Sequence, residues 1–280
     1  MNGPAGQRQE SARHWRYEAL AGLDLLRARY VSHTFPRHSH ESYLLATVLR
    51  GVEDMRVQGG GFHVLPGSVM TLDPEEPHAA RSGHPDGWAY IALYPQPDTV
   101  REIVAEISTL RGTPGFSSPV ADDPYAARLL RGTYDAADAG NALAADILLR
   151  SAVTRLLTEH GTRLPARTPK AAGRRAAGRA RALLEARMTE PPSLELLARE
   201  VGASPHALLR AFKAEYGMPP HTWLTDARVR RAQLLLAQGH PPAQVASAVG
   251  FTDQPHLNRH FTRIVGVPPG AYRKERAGPL

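Results

Sequence analysis

The chain is 280 residues long, 42% apolar and 22% charged, enough for one large domain or two ordinary ones, which excludes both wholesale disorder and a marginal mini-protein. It contains no cysteine, so disulfides, thiolate nucleophiles and cysteine zinc sites are excluded together. The net charge is +7, yet 16 Lys/Arg stand against 8 Asp/Glu from Arg174 onward, a net +8, which leaves the first 173 residues at −1.

Such asymmetry points to a polyanion-binding module in the last third, joined to a near-neutral partner. A basic face that is merely solvated is the plainer alternative. No stretch approaches the roughly 18 apolar residues that a membrane span requires, and Met1 to Ser11 lacks an apolar signal core. A soluble, cytoplasmic chain without membrane contact is therefore expected.

In chain order, Tyr43 to Val48, Phe62 to Leu65, Ser68 to Leu72 and Ala89 to Tyr94 are short β-prone runs, punctuated by Gly59-Gly60-Gly61, Pro66-Gly67 and Pro85-Asp86-Gly87. That pattern predicts a β-sandwich or small barrel over about residues 24 to 95. Helices are predicted over Thr99 to Leu110, Tyr125 to Tyr134 and Ala142 to Glu159. The last carries Leu149, Val153, Leu156 and Leu157, which suit either the domain's own core or a dimer seam. Thr162 to Gly178, with two prolines, two glycines and five basic residues, reads as a linker.

Everything after the linker reads as helical, and it repeats. A shift of 49 residues superimposes Leu208 on Leu257, Arg210 on Arg259, Phe212 on Phe261, Gly217 on Gly266, Pro219-Pro220 on Pro268-Pro269 and Trp223 on Tyr272. In the first unit, Leu194, Leu197, Ala198 and Val201 mark a short helix. Gly202-Ala203 makes a turn, and Ser204-Pro205 opens a second helix by the usual cap and first-turn chemistry. A short helix, a tight turn and a second helix with a basic face make a helix-turn-helix. The second unit repeats it through Val245, Ala246 and Val249, then Gly250-Phe251-Thr252 and a helix over about Asp253 to Val265. Between the units, Pro220 to Gln238 predicts one helix of about 28 Å, comparable with the roughly 34 Å of a DNA turn.

With these residues in view, SLELLAREVGASPHALLRAFKAEYG and VASAVGFTDQPHLNRHFTRIVGVPPGAYR resemble the DNA-binding domain of the AraC/XylS family of bacterial transcription regulators. Gly250-Phe251, Leu257, Arg259, Phe261, Gly266, Pro269, Tyr272 and Arg273 carry the more specific half of that likeness. Pro255 and Leu209 depart from the pattern. The resemblance implies two helix-turn-helix units in consecutive major grooves of promoter DNA. It assigns base reading to His206 and Arg210 in the first recognition helix and to Gln254, Asn258 and Arg259 in the second, with Leu209 against a thymine methyl. Arg199, Lys213, Arg228 and Arg263 are expected to contact phosphate or to solvate the surface, and Leu208, Phe212, Leu257, Phe261 and Trp223 to be core.

In the first domain, Pro36-Arg37-His38-Ser39-His40-Glu41, Pro66-Gly67-Ser68 and Pro74-Glu75-Glu76-Pro77-His78 resemble the cupin-like effector-binding domain of many AraC-type regulators. His38 and His40 share a strand face, and with His78 they could hold a metal. Metal-binding cupins place a glutamate four or five residues after the second histidine, where this chain has Leu44 and Leu45. The three histidines, with Tyr43, Trp88 and Tyr90, are therefore assigned to an effector pocket, with no metal, no cofactor and no catalytic residue. Arg13 to Tyr17 is expected to be either a regulatory arm or a loose terminus.

The expected fold class is α+β multidomain: a cupin-like β-barrel with packed helices over 1–161, a linker over 162–178, and an all-α double helix-turn-helix domain over 179–280. The expected function is a ligand-responsive, one-component regulator, not an enzyme. Its expected partners are double-stranded promoter DNA, a small-molecule effector, a second copy in a homodimer and, if it activates, RNA polymerase. The alternatives are a ligand-independent regulator controlled by its abundance, or a metal-binding cupin enzyme fused to a DNA-binding domain.

Overall fold

The computed structural model describes residues 10–276 except 21, 58, 111, 163, 166–172 and 266. The chain divides into two compact units, Met1–Ala137 with Leu148–Thr168, and Asp138–Ile147 with Pro169–Leu280.

The described strands of the first unit are β1 (Ser11–Tyr17), β2 (Leu23–Tyr30), β3 (Thr34–His38), β4 (Leu44–Gly51), β5 (Glu53–Val57), β6 (Gly60–Val64), β7 (Ser68–Leu72), β8 (His78–Ser82), β9 (Trp88–Tyr94) and β10 (Val120–Asp122). They form a six-stranded sheet in the order β1-β2-β9-β4-β7-β10 and a four-stranded sheet in the order β3-β8-β5-β6. The expected sandwich is present, and its four predicted runs lie in β4, β6, β7 and β9. It also reaches beyond residues 24 to 95, because β1 and β10 form the outer edges of the larger sheet. Residues 13–17 are thus neither an arm nor a loose end. Arg13 pairs with Arg27 and Tyr17 with Leu23 along an antiparallel ladder, which Arg16 and Asp24 reinforce by an ion pair at 3.0 Å.

Alternation decides which side chains meet between the sheets. Leu44, Ala46 and Val48 of β4 join Met55, Val57, Val64, Met70, Leu72, Trp88, Tyr90 and Ala92 in the interior cluster. The opposite register, including Leu25, Leu45, Ile91 and Leu93, is also buried, so β4 and β9 read as continuous apolar runs. The helices α1 (Pro97–Ile107), α2 (Pro124–Asp138) and α3 (Ala142–Glu159) complete this part of the chain. Trp15 of β1 meets Tyr134 of α2 edge to face, and Arg150 of α3 pairs with Glu106 of α1 at 3.0 Å. Leu149, Val153, Leu156 and Leu157 are all at most 2% exposed within the single chain. They are core, and the dimer seam expected on them is not available.

The second unit holds α4 (Arg174–Ala186), α5 (Leu194–Glu200), α6 (Pro205–Tyr216), α7 (Pro220–Ala237), α8 (Pro242–Val249), α9 (Gln254–Val265) and α10 (Pro269–Arg276). Residues 174–178, expected to belong to the linker, are instead the first turns of α4. Alanine and arginine favour a helix, and Ala177, Ala180 and Leu184 give it a fully buried stripe. Much of the rest of that linker lies outside the described residues. One core packs α4, α5, α6 and the first half of α7 around Leu197, Leu208, Phe212 and Trp223, and takes in Leu143 and Ile147. The other packs the second half of α7 with α8 and α9 around Val229, Leu236, Val245, Val249, Leu257 and Phe261. No helix among the described residues is long and apolar enough to cross a membrane.

Candidate DNA-reading helices and effector pocket

Each helix-turn-helix is made by the same local chemistry. In the first, Ser193 caps α5 by accepting from the Leu196 amide at 3.2 Å. Gly202 turns the chain at φ 71°, the Ala203 amide closes the turn on the Ala198 carbonyl at 2.9 Å, and Ser204 caps α6 by accepting from Ala207 at 3.3 Å. In the second, Gly250 turns at φ 87°, the Phe251 amide donates to the Ala246 carbonyl at 2.9 Å, and Asp253 accepts from the His256 amide at 2.6 Å. The turn at Gly250 is also a close approach. A Cβ there would stand 2.7 Å from Thr189 Cα and 2.8 Å from the Met188 carbonyl oxygen.

The matched positions of the repeat divide into buried and exposed. Leu208, Leu257, Phe212 and Phe261 are fully buried, while Arg210 and Arg259 are exposed. On α6, His206, Leu209, Arg210 and Lys213 recur at the three-to-four spacing of one face. His206 and Leu209 are half-buried there, and Leu209 rests against the first core. Burial, and after it the charge of Arg210, lowers the pKa of His206, which keeps the imidazole neutral at pH 7. On α9, Gln254, Arg259 and Arg263 are exposed and Asn258 half-buried, a polar stripe over an apolar underside.

Arg228 departs from expectation. It is 5% exposed, and its Nε and Nη2 donate to the Met188 carbonyl at 3.0 and 2.7 Å. Its guanidinium lies 5.9 Å from the Phe251 ring centroid, and burial brings its pKa down to about 10. It is an internal tie from α7 to the segment just after α4, not a phosphate contact. Its position within a helix that presents no steady apolar face hid it from sequence reasoning.

In the first unit, β3 and β8 place His38 directly opposite His78 in an antiparallel register. His40 follows two residues later. The ring centroids lie 4.3 Å apart for His38 and His78, 4.9 Å for His38 and His40, and 5.1 Å for His40 and His78. The Nδ1 atoms of His38 and His78 lie 2.8 and 3.1 Å from the carbonyl oxygens of Pro36 and Glu76. A carbonyl only accepts, so each Nδ1 carries the hydrogen and each Nε2 keeps its lone pair. Burial, then the neighbouring imidazoles, brings the pKa of His40 down to about 4. Burial also lowers that of His78.

Of the aromatic residues assigned to the pocket, Trp88 and Tyr90 stack at 6.3 Å inside the sandwich. Tyr30 approaches them at 5.4 and 6.3 Å, and Tyr94 approaches His40 at 5.1 Å. Tyr43 does not belong with them. It is fully buried, its hydroxyl donates to the Pro114 carbonyl at 2.5 Å, and its ring meets Phe116 edge to face. Its place in the strand alternation sets it on the face of Leu45, turned away from the interior.

Sequence reasoning also passed over Glu53, which is 5% exposed. Its carboxyl is pushed up to about 8 by burial, against an opposing pull from the Trp88 indole. Neither Glu53 Oε2 nor Trp88 Nε1 meets hydrogen-bond geometry with any described protein group. The signal was present: Glu53, Met55 and Val57 alternate along β5, so two buried apolar residues announce the face on which Glu53 lies.

A family model described as the AraC-like ligand binding domain matches residues 20–157, and one described as a helix-turn-helix domain matches residues 197–275. The chain belongs to the AraC/XylS family of transcription regulators. Among its relatives, the uncharacterized HTH-type transcriptional regulator YbfI of Bacillus subtilis (strain 168) is 24% identical, over 84% of this chain and 86% of its own length. The arabinose operon regulatory protein of Salmonella typhimurium is also 24% identical, over 83% of this chain and 84% of its own. A solved transcriptional regulator with an AraC-type DNA-binding domain, from Chromobacterium violaceum, is 32% identical over 38% of this chain and 95% of its own, with a TM-score of 0.35. This AraC-family regulator accordingly joins a ligand-binding domain to a helix-turn-helix DNA-binding domain.

Proposed function

We propose that a small organic molecule bound between the two sheets, against Trp88, Tyr90 and the wall formed by His38, His40 and His78, changes the affinity of the second unit for promoter DNA. His206, Leu209 and Arg210 of α6 and Gln254, Asn258 and Arg259 of α9 read the bases. A coupling of about 1 to 3 kcal/mol between effector and operator is sufficient for a change in affinity of about 5- to 150-fold. The regulator acts in the cytoplasm as a homodimer and meets RNA polymerase where it activates. It performs no catalysis.

The single observation that carries this reading is the equivalence of Arg210 and Arg259. They are matched in the repeat and exposed on helices whose neighbouring matched residues are fully buried. An arginine at such a place offers two donors to guanine O6 and N7. The full chain should bind its own upstream region with affinity that falls steeply with salt. Arg210→Ala and Arg259→Ala should each cost about 1 to 3 kcal/mol and relax specificity at positions one helical turn apart, measured over single-base operator variants. Uniform weakening over the whole set for both variants, with the salt slope lowered by about one unit, would demote them to phosphate clamps.

A further inference from the structure

We propose that Glu53 and the rings around Trp88 form the recognition end of the effector pocket, and that the effector is an organic amine, bound as its ammonium ion with an apolar body behind it. The inference rests on the reading of the sandwich interior as that pocket, and it names the chemistry of what enters.

Glu53 is the residue that asks for a ligand. Its register partners are Val64 on β6 and Ser82 on β8, and it shares the inward side of β5 with Met55 and Val57 of the interior cluster. A carboxyl buried there is costly unless it is partnered. Yet Oε2 has no hydrogen-bond partner among the described protein groups, and neither has Nε1 of Trp88, the donor beside it. Burial and the Trp88 indole set its pKa, with no cationic side chain among the causes. The titratable groups that sense its charge from β9 are Tyr90 and Tyr94, phenols that burial holds above their ordinary value and therefore neutral. The positive charge that this acid lacks is left to the ligand.

The surroundings suit a cation. Trp88 and Tyr90 are stacked, and the Tyr30 ring tilts against both. Electron-rich ring faces attract an ammonium group. Tyr30 and Phe35 meet edge to face at 5.4 Å and are half-buried, whereas Trp88 and Tyr90 are buried, so the ring group leads from the surface inward. In the empty site the carboxyl holds its proton at pH 7, because burial disfavours the charged form. When an ammonium ion enters, the carboxyl releases that proton to solvent, and Oε2 accepts an N–H from the ligand. The carboxylate also becomes an acceptor for the Trp88 indole. A primary or secondary amine has the N–H that a quaternary ammonium lacks, and an alcohol of the same shape lacks the charge.

The test titrates the full chain at pH 7 with butylamine, cyclohexylmethylamine and 2-phenylethylamine, and with the alcohols and carboxylates of matching shape, by calorimetry in two buffers of different ionisation enthalpy. At least one amine should bind at least about tenfold more tightly than its matching alcohol and carboxylate, with close to one proton released. Glu53→Gln, nearly isosteric and unable to ionise, should weaken that amine by at least about tenfold and leave the alcohol within about twofold. Far-ultraviolet circular dichroism and ligand-free operator binding establish that the variant is folded. No amine binding at millimolar concentration, an amine no tighter than its alcohol, or equal amine affinity in the folded Glu53→Gln protein overturns the proposal. Operator affinity, measured beside each titration, separates the two readings. An alcohol or carboxylate that changes it where the amines do not bind ends the amine assignment and keeps the effector pocket. An amine held through Glu53 that leaves it unchanged keeps the amine site and ends the effector reading.

Discussion

Glu53→Gln should change how the stability of the β unit depends on pH. The ordinary carboxyl value is 4.5, and burial raises that of Glu53 to about 8. Below pH 4.5 both the folded and the unfolded chain hold the proton, and the carboxyl has no pH-dependent effect. Between 4.5 and about 8 the unfolded chain releases it while the folded chain keeps it, so stability falls as pH rises, by about 1.4 kcal/mol per pH unit. Above about 8 both forms are ionised and the loss, at most about 5 kcal/mol, is complete. Glutamine has nearly the same shape and cannot ionise. The variant should therefore match the native chain within about 1 kcal/mol near pH 5 and exceed it by several near pH 8.5. His40 and His78, held below the ordinary 6.5 by burial, contribute the opposite slope at lower pH, and it cancels in the comparison. The assay is urea unfolding in a Trp223→Phe background, where Trp15 and Trp88 report the first unit alone. A difference between the two proteins that stays constant from pH 5 to 8.5 would refute the reasoning, because Glu53 would then be ionised and partnered in the fold.

Arg228→Met should destabilise the second unit by about 2 to 4 kcal/mol, because it removes two charge-assisted hydrogen bonds and leaves the Met188 carbonyl without its donor. Arg228→Lys should recover only part of that, since Nε and Nη2 both donate to one oxygen. Denaturant unfolding followed through Trp223 measures both, and a neutral Arg228→Met variant would return the residue to the surface. Gly250→Ala should cost about 3 kcal/mol or more, combining a left-handed φ with backbone 2.7 Å from the new Cβ. Gly202→Ala has a similar φ but open space around it and should cost only about 1 kcal/mol. Equal losses in the two glycine variants would show that the packing against Thr189 is not what demands glycine at 250.

Much of the architecture was legible in the chain because it is written locally. Gly202 and Gly250, with the capping residues Ser204 and Asp253, place both turns. Gly59 to Gly61 and Pro66-Gly67 separate the strands, and the 49-residue repeat matches Phe212 to Phe261 as core and Arg210 to Arg259 as surface. His38 and His40 could be paired by alternation alone, but bringing His78 opposite His38 needed the register of β3 on β8. The misreadings share a cause, which is that burial is decided by the partner element. Val153 and Leu156 fit a dimer seam as well as a core, and nothing local says that this chain's own core covers them. Residues 13–17 read as an arm because the ladder that holds them is completed by residues 23–27. Tyr43 differs from Tyr90 only in which side of a doubly buried sheet it faces.

The most instructive case is α7. Its first half turns Trp223, Leu224 and Ala227 to one core and its second half turns Val229, Ala232 and Leu236 to another. A helix that changes partner midway shows no steady apolar stripe, so periodicity gives no hint that a charged residue near the changeover is inside. Arg228 stands at that point, between Ala227 of the first core and Val229 of the second. There a side chain with a long apolar stem and a fork of donors can bury its length and still satisfy the Met188 carbonyl, two residues beyond α4. The arrangement that conceals Arg228 from pattern reading is also what makes one helix of about 27 Å the shared wall of both helix-turn-helix units. The spacing of α6 and α9 is therefore carried by buried packing along α7, and it does not depend on the exposed charges of either helix.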